Sequence, residues 1–509
     1  MASELKSINL VAPGFKGINT EDSPIAQDPS FAEIADNAVI DKRGRIAARK
    51  GHNVLTTNKT QLGTAAIRGI KEFADDAGNT KVFSVGNNKI LSGTTTLADE
   101  TPGSYTINAD NWKMVNFNDK IYFFQRAHEP LVYANGGSVQ KLSTVSGAAG
   151  VASTMYGNEV IAGYGRLWTA DFSSDKSTVY WSDLLIGHDW SGGSSGSIDI
   201  SKVWPDGHDE IVALAAHNGL LVIFGKRSIV IYEKAESPAD MSLADTITGI
   251  GCVDRDTVQN TGTDILFLSQ TGLRSIGRTI QEKSAPLTSL SSNITTDLTI
   301  SLQNETSFFR SVYSPEENFY LLSFVGQDVI YCFDLKGQLE NGAYRVTRWI
   351  DTGFTAFGRL SSGTLYIGTT NGISEYSGYK DNNVKYLFKY YSPGLTFGDA
   401  GRIKLLKKIK PTVVSSNASD VFLKWAYDFS TFYKTERLPL SGGGVAGEFN
   451  SSEYNTTAEF TLGDTVTSQR NINTTGYGSS VSVGVEADIN GFALSLQEIN
   501  VMALLGKLL

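Results

Sequence analysis

A chain of 509 residues can bury large cores and more than one domain, and its balance of 41% hydrophobic and 19% charged residues is that of an ordinary globular protein. The formal net charge of −9 argues against a dedicated DNA-binding face, which would be basic, but not against DNA that passes by without sticking. No apolar run reaches the ~18 residues of a membrane span, and the start, MASELKSINLVAPGF, lacks the apolar stretch of a secretory signal.

Frequent Gly (51), sparse Pro (12) and abundant Ser, Thr, Asn and aromatic residues predict short strands and many turns, a mostly β protein. Residues 1–60 form a distinct leader. Within it 14–24 (GFKGINTEDSP) reads as extended loop, 29–40 as one or two helical turns, and 45–55 as a strand. A hairpin-like unit then recurs. Its copies start near residues 81, 120, 166, 220, 264, 318 and 364, spaced 39 to 54 residues apart. The clearest copy is 264–277, DILFLSQTGLRSIG: a short apolar run, a turn ending in Gly272, and a return. Apolar residues on both faces of that run predict a strand buried between layers.

A period of ~40–50 residues with two or more strands per unit is the signature of a β-propeller. One small sheet cannot hide both faces, so blades stack radially until the ring closes. The expected fold is therefore all-β, with a propeller of about seven blades (six to eight) over residues 61–380. A degenerate copy in 240–254 or 287–304 would alter that count. After residue 379 the pattern changes, and 381–509 reads as a second β-domain. Its strands are expected near 384–391, 402–414, 421–433, 457–462, 480–486 and 492–502, with a flexible tip at 441–447. The leader is expected to pack on this domain or to close the ring.

Few residues suggest chemistry. Cys252 and Cys332 lie in different repeat units and are expected to be buried, reduced thiols. His188 and His208 sit in Gly/Asp loops without metal-ligand spacing. Asp254 and Asp256, flanking Arg255, are expected on one strand face, where a carboxylate pair can do acid/base work or form a solvated or inter-subunit ionic strand. Arg402, Lys404, Lys407, Lys408 and Lys410 form the one basic cluster. It reads as a lysine-guarded edge strand, a docking surface or a weak nucleic-acid site. Trp112, Trp168, Trp181, Trp190, Trp204 and Trp349 could fill wedges between blades or stack on sugars. No phosphate-binding glycine loop, dinucleotide fingerprint or calcium loop is present, so no cofactor and no metal is expected.

Several stretches taken in order resemble the tail nozzle proteins of short-tailed bacteriophages, the tail tubular protein B family. These are Gly17-Ile18-Asn19, Asn37 and Arg49-Lys50-Gly51 in the leader, then 179–183 with Trp190, 250–277 and 395–410. Arg49-Lys50-Gly51 departs from that family's more usual Arg-Pro-Gly. The resemblance implies a structural virion protein, not an enzyme, assembled in the host cytoplasm and carried in the virion tail. Six copies would ring the end of the tail, bound to an adaptor below the portal, with fibres or spikes at the flank. Their lumen would be the exit channel for double-stranded DNA, which it would help retain and then release without reading its sequence. Six copies of −9 would carry a formal −54, which repels DNA wherever it faces the lumen. The alternatives are a carbohydrate- or receptor-binding propeller and a propeller glycan hydrolase or lyase.

Overall fold

The computed structural model describes residues 4–11, 14–282, 289–415, 420–439 and 466–508. The expected strand at 457–462 and the tip at 441–447 lie outside them.

Six of the seven predicted hairpins are the central pair of a four-stranded antiparallel blade: residues 69–99 (blade 1), 113–141 (blade 2), 159–199 (blade 3), 211–248 (blade 4), 309–350 (blade 5, the start of a larger sheet) and 356–376 with 52–54 (blade 6). Between blades 4 and 5 sits a reduced, three-stranded unit, Gln259–Asn260, Ile265–Ser269 and Gly272–Ser275. The fold is a β-propeller of six full blades with this reduced sheet in the circle. The hairpin that stood out in sequence is thus the incomplete one. Every residue of its two longer strands is buried, as its two-sided apolar pattern requires.

The circle is held by one apolar cluster per seam. Phe83 and Phe123 meet edge to face between blades 1 and 2. Phe124 and Trp190 meet between 2 and 3, and Trp168 with Leu221 between 3 and 4. Phe224 packs on Phe267 of the reduced unit, Trp349 with Tyr376 joins blades 5 and 6, and Ile70 with Ile373 joins 6 and 1. All six tryptophans named from sequence are buried in these seams, so none presents a face to a sugar. Cys252 and Cys332 are buried and unpaired, and burial pushes the Cys252 thiol up to about 12.

Blade 6 takes its outer strand from the start of the chain: His52–Val54 pairs antiparallel with Gly372–Tyr376. The remaining sheets form a platform from both chain ends. One has the long strands Arg402–Ser415 and Leu494–Leu508 at its centre, with Glu4–Leu10 paired on the far side of the latter. The other runs on from blade 5. Asp36 bridges Arg348 of its outer strand, and Ile34–Asp36 pairs with Tyr386–Tyr391, which continues into Val481–Ile489 and Asp420–Tyr427. A nine-stranded sheet therefore passes from propeller into platform without a break.

Three local expectations are corrected. Residues 29–40 are not helical. Ile34–Asp36 and Ala38–Ile40 are strands of different sheets, and Asn37, at φ 53°, turns the chain between them. No blade hides among the described residues of 287–304, where Thr295–Asn304 is a helix lying against the reduced unit, and Ser242–Thr248 is the outer strand of blade 4. The basic strand is not an edge. Arg402–Ser415 is paired on both sides, with Leu494–Leu508 and with three short strands between Val466 and Gly478.

Candidate functional site

The first residues of the inner strands gather at one end of the propeller axis. These strands are Gly69–Ala74, Lys113–Phe117, Glu159–Gly163, Ile211–His217, Phe309–Ser314 and Ala356–Arg359. In the reduced unit the inner strand is cut to Gln259–Asn260, and a single 3-10 turn, Arg255–Thr257, precedes it.

This overturns the reading of 252–258 as a strand with two aspartates on one face. The Asp254 carboxylate instead accepts a hydrogen bond from the backbone N–H of Asp256 at 2.8 Å, the capping geometry that favours a turn over an extended chain. Asp256 is thereby pointed at the axis. Its carboxylate accepts from Arg310 Nη1 at 2.8 Å, lies 3.7 Å from Arg255 Nε and 4.0 Å from Lys113 Nζ, and so binds three cations from three sectors of the circle. The Arg255 guanidinium reaches across to the Asn111 carbonyl at 2.8 Å, and Lys113 Nζ also lies 3.3 Å from Glu159.

The electrostatics follow from burial. Burial works against the charge on Asp256, yet Arg255, Arg310 and Lys113 together hold its carboxyl below the usual range. Asp254 is pushed the other way, by burial and then by the charge of Asp256. Glu159 is fully buried, and desolvation raises it to about 7 against the pull of Lys113 and Arg255. The result is an ionic plug in the axis, with a cavity of about 150 Å³ beside it.

A second constellation joins propeller to platform, and it is built from the leader landmarks. Arg49 is fully buried. Its guanidinium makes a bidentate pair with Asp381 (2.9 and 2.6 Å), donates Nε to Asn37 Oδ1 at 3.0 Å, and lies 4.2 Å from the centre of the Tyr386 ring. Asn37 also donates to the Leu387 carbonyl at 2.9 Å. Asp381 is opposed by burial but held below the usual carboxylate range by Arg49 and His52. Gly51 allows the close pass of two backbones: a Cβ there would stand 2.0 Å from the Lys380 carbonyl oxygen. Gly17, at φ +90°, is also pressed on a backbone, that of Val346, 2.5 Å from where its Cβ would be.

The basic cluster lies apart from both, on the platform. Arg402 pairs with Asp399 at 3.2 Å, and Lys404 is buried with its ammonium on the Asp399 carbonyl. Lys407 and Lys408 are exposed and Lys410 half-buried; among the described residues none of the three has a carboxylate partner. No group of three His, Cys, Asp or Glu side chains is arranged to hold a metal among the described residues. Nor is any helix there long and apolar enough to cross a membrane.

Sequence reasoning found Asp254, Arg255 and Asp256 but missed Lys113, Glu159 and Arg310. A signal was present: each of these stands seven or eight residues before a hairpin start. Charges at one phase of a propeller repeat converge on one end of the axis.

Comparisons with known proteins show no family for the chain. No family model matches the chain, and no curated protein matches it. Among solved structures it is similar to a streptogramin B lyase, at 11% identity and a TM-score of 0.36, over 62% of this chain and 95% of that one. It is also similar to the Pan2 WD40 domain of Neurospora crassa, at 8% identity and a TM-score of 0.38, over 65% and 94%. The extracellular domain of a one-component system from B. thetaiotaomicron gives 9% identity and a TM-score of 0.40, over 67% and 46%.

Proposed function

We propose that the chain is a structural subunit of a short-tailed phage nozzle, six copies of which close into a ring whose lumen carries the DNA out. The observation that supports this reading is the fate of the leader landmarks. Gly17, Asn37, Arg49 and Gly51 carry the family resemblance, and all four are joint residues that lock propeller to platform. Residues recurring in a family for that reason belong to a rigid two-part building block. The axial plug adds a constraint. Side chains from three sectors of the circle meet there within 4.0 Å, which leaves no room for a duplex whose major groove alone is ~12 Å wide, so in this reading the DNA path runs between copies and not through one propeller.

In this reading the propeller stiffens the outer wall and offers a flank for fibres or spikes. The platform carries the contacts between copies and to the adaptor below the portal, with Lys407, Lys408 and Lys410 as part of that docking surface. The ring retains packaged DNA until ejection. Electron microscopy of the purified protein tests this: closed rings with a hole wide enough for a duplex are expected, and isolated single subunits both alone and with the adaptor would overturn it.

A further inference from the structure

The cavity beside the axial plug is lined by four cations, Arg68, Lys71, Lys113 and Arg310, and by one carboxylate, Asp256. Asp256 is already shared by Lys113, Arg255 and Arg310. Arg68 and Lys71 have no carboxylate within ion-pair distance among the described residues. The Arg68 guanidinium lies 5.0 Å from the Phe308 ring, and that of Arg310 lies 5.1 Å from the same ring, so two like charges share one aromatic side chain. Arg310 also donates Nε to the Arg68 carbonyl at 3.0 Å, which holds the pair together. Glu72 follows Lys71 on its strand but is turned away, accepting from the backbone N–H of Ser361 at 2.5 Å. Asp110 faces Arg68 more distantly and is engaged by the Asn88 N–H at 2.8 Å. Burial and these like-charged neighbours depress both unpaired cations, Lys71 through Lys113 and Arg68 through Arg310.

Such an arrangement is costly when empty and is relieved by an anion. We propose that the axial cavity is a binding site for a tetrahedral oxyanion, phosphate or the phosphate end of a monoester, with Arg68 and Lys71 as its principal donors and Arg310 and Lys113 as flanking charges. A cavity of about 150 Å³ is well above the ~10–15 Å³ that one water needs on the same measure, so it has room for one such group with part of its hydration. Arg68 supplies a planar fork of donors suited to a phosphate, and Lys71 adds a point charge. Both side chains come from the entry to the innermost strand of blade 1, so their spacing is fixed by the ring and not by a loop.

The test is calorimetric titration of the intact chain with inorganic phosphate in chloride buffer at constant ionic strength. Saturable binding at one site per chain is expected. Lys71→Met and Arg68→Gln, which break no ion pair, should each weaken it tenfold or more, while Lys202→Met, at an exposed position outside the cavity, leaves it unchanged. A second titration with glycerol phosphate separates sources. Equal binding assigns the site to the end of a larger phosphomonoester, and binding of phosphate alone assigns it to the free ion. Absence of saturable binding, or equal affinity in all three variants, overturns the proposal. Should Lys71→Met fail to fold, Arg68→Gln decides alone.

Discussion

Asp256 is the residue on which the propeller axis depends. Asp256→Asn leaves the buried Arg255 and Arg310 and the half-buried Lys113 without their shared carboxylate, and removing one partner of such a network costs ~3–5 kcal/mol. Denaturant unfolding should therefore show a loss of that order, where a solvated surface pair would show ~0–1 kcal/mol. Glu159 gives a pH signature. Its folded-state pKa, raised to about 7 from 4.5, means that the folded chain binds the proton more tightly than the unfolded one. Stability from this group is present in full below the unfolded pKa and is lost as pH rises from ~4.5 to ~7, on the order of 3 kcal/mol in total. Glu159→Gln should flatten that part of the stability profile, and an unchanged slope would contradict the assignment. At the joint, Arg49→Lys keeps the charge but loses the fork that serves Asp381 and Asn37 at once, so thermal unfolding should move down even though net charge does not.

Among elements, the reduced unit repays its prominence in the sequence. Leu266 faces the platform cluster while Phe267 faces blade 4, so one strand serves two cores. Leu266→Ala should cost ~2–5 kcal/mol, read from chemical denaturation, and Leu266→Asp should prevent folding or assembly. The central hairpins were legible because their residues are apolar on both faces and are punctuated by Gly and Asn turns, a purely local pattern. Inner strands were not, since Lys113–Phe117 and Glu159–Gly163 begin with charges that only the axis can satisfy. The turn at Asp254 escaped for a related reason. Alternating Asp-Arg-Asp reads equally as a solvated strand face, and the capping bond that decides against it is not a matter of periodicity. The strand Arg402–Ser415 misled through its lysines. Lys407 and Lys408 stand clear of the sheet, so the strand keeps a polar, edge-like sequence while being paired on both sides.

At the scale of the molecule, propeller and platform are one mechanical piece. A continuous nine-stranded sheet, the Arg49–Asp381 pair and the closure of blade 6 by His52–Val54 all cross the joint. Gly51→Ala drives a methyl into the Lys380 carbonyl and should loosen this piece, which proteolysis of the folded chain would detect as new cleavage at the joint. Such stiffness is what the proposed wall element needs if many copies are to hold a channel of constant width. The most direct test of that account is the mass of the assembled particle, measured by native mass spectrometry of the purified chain alone and with its adaptor. A closed oligomer of six copies is the predicted result, and a chain that stays monomeric in both samples would contradict it.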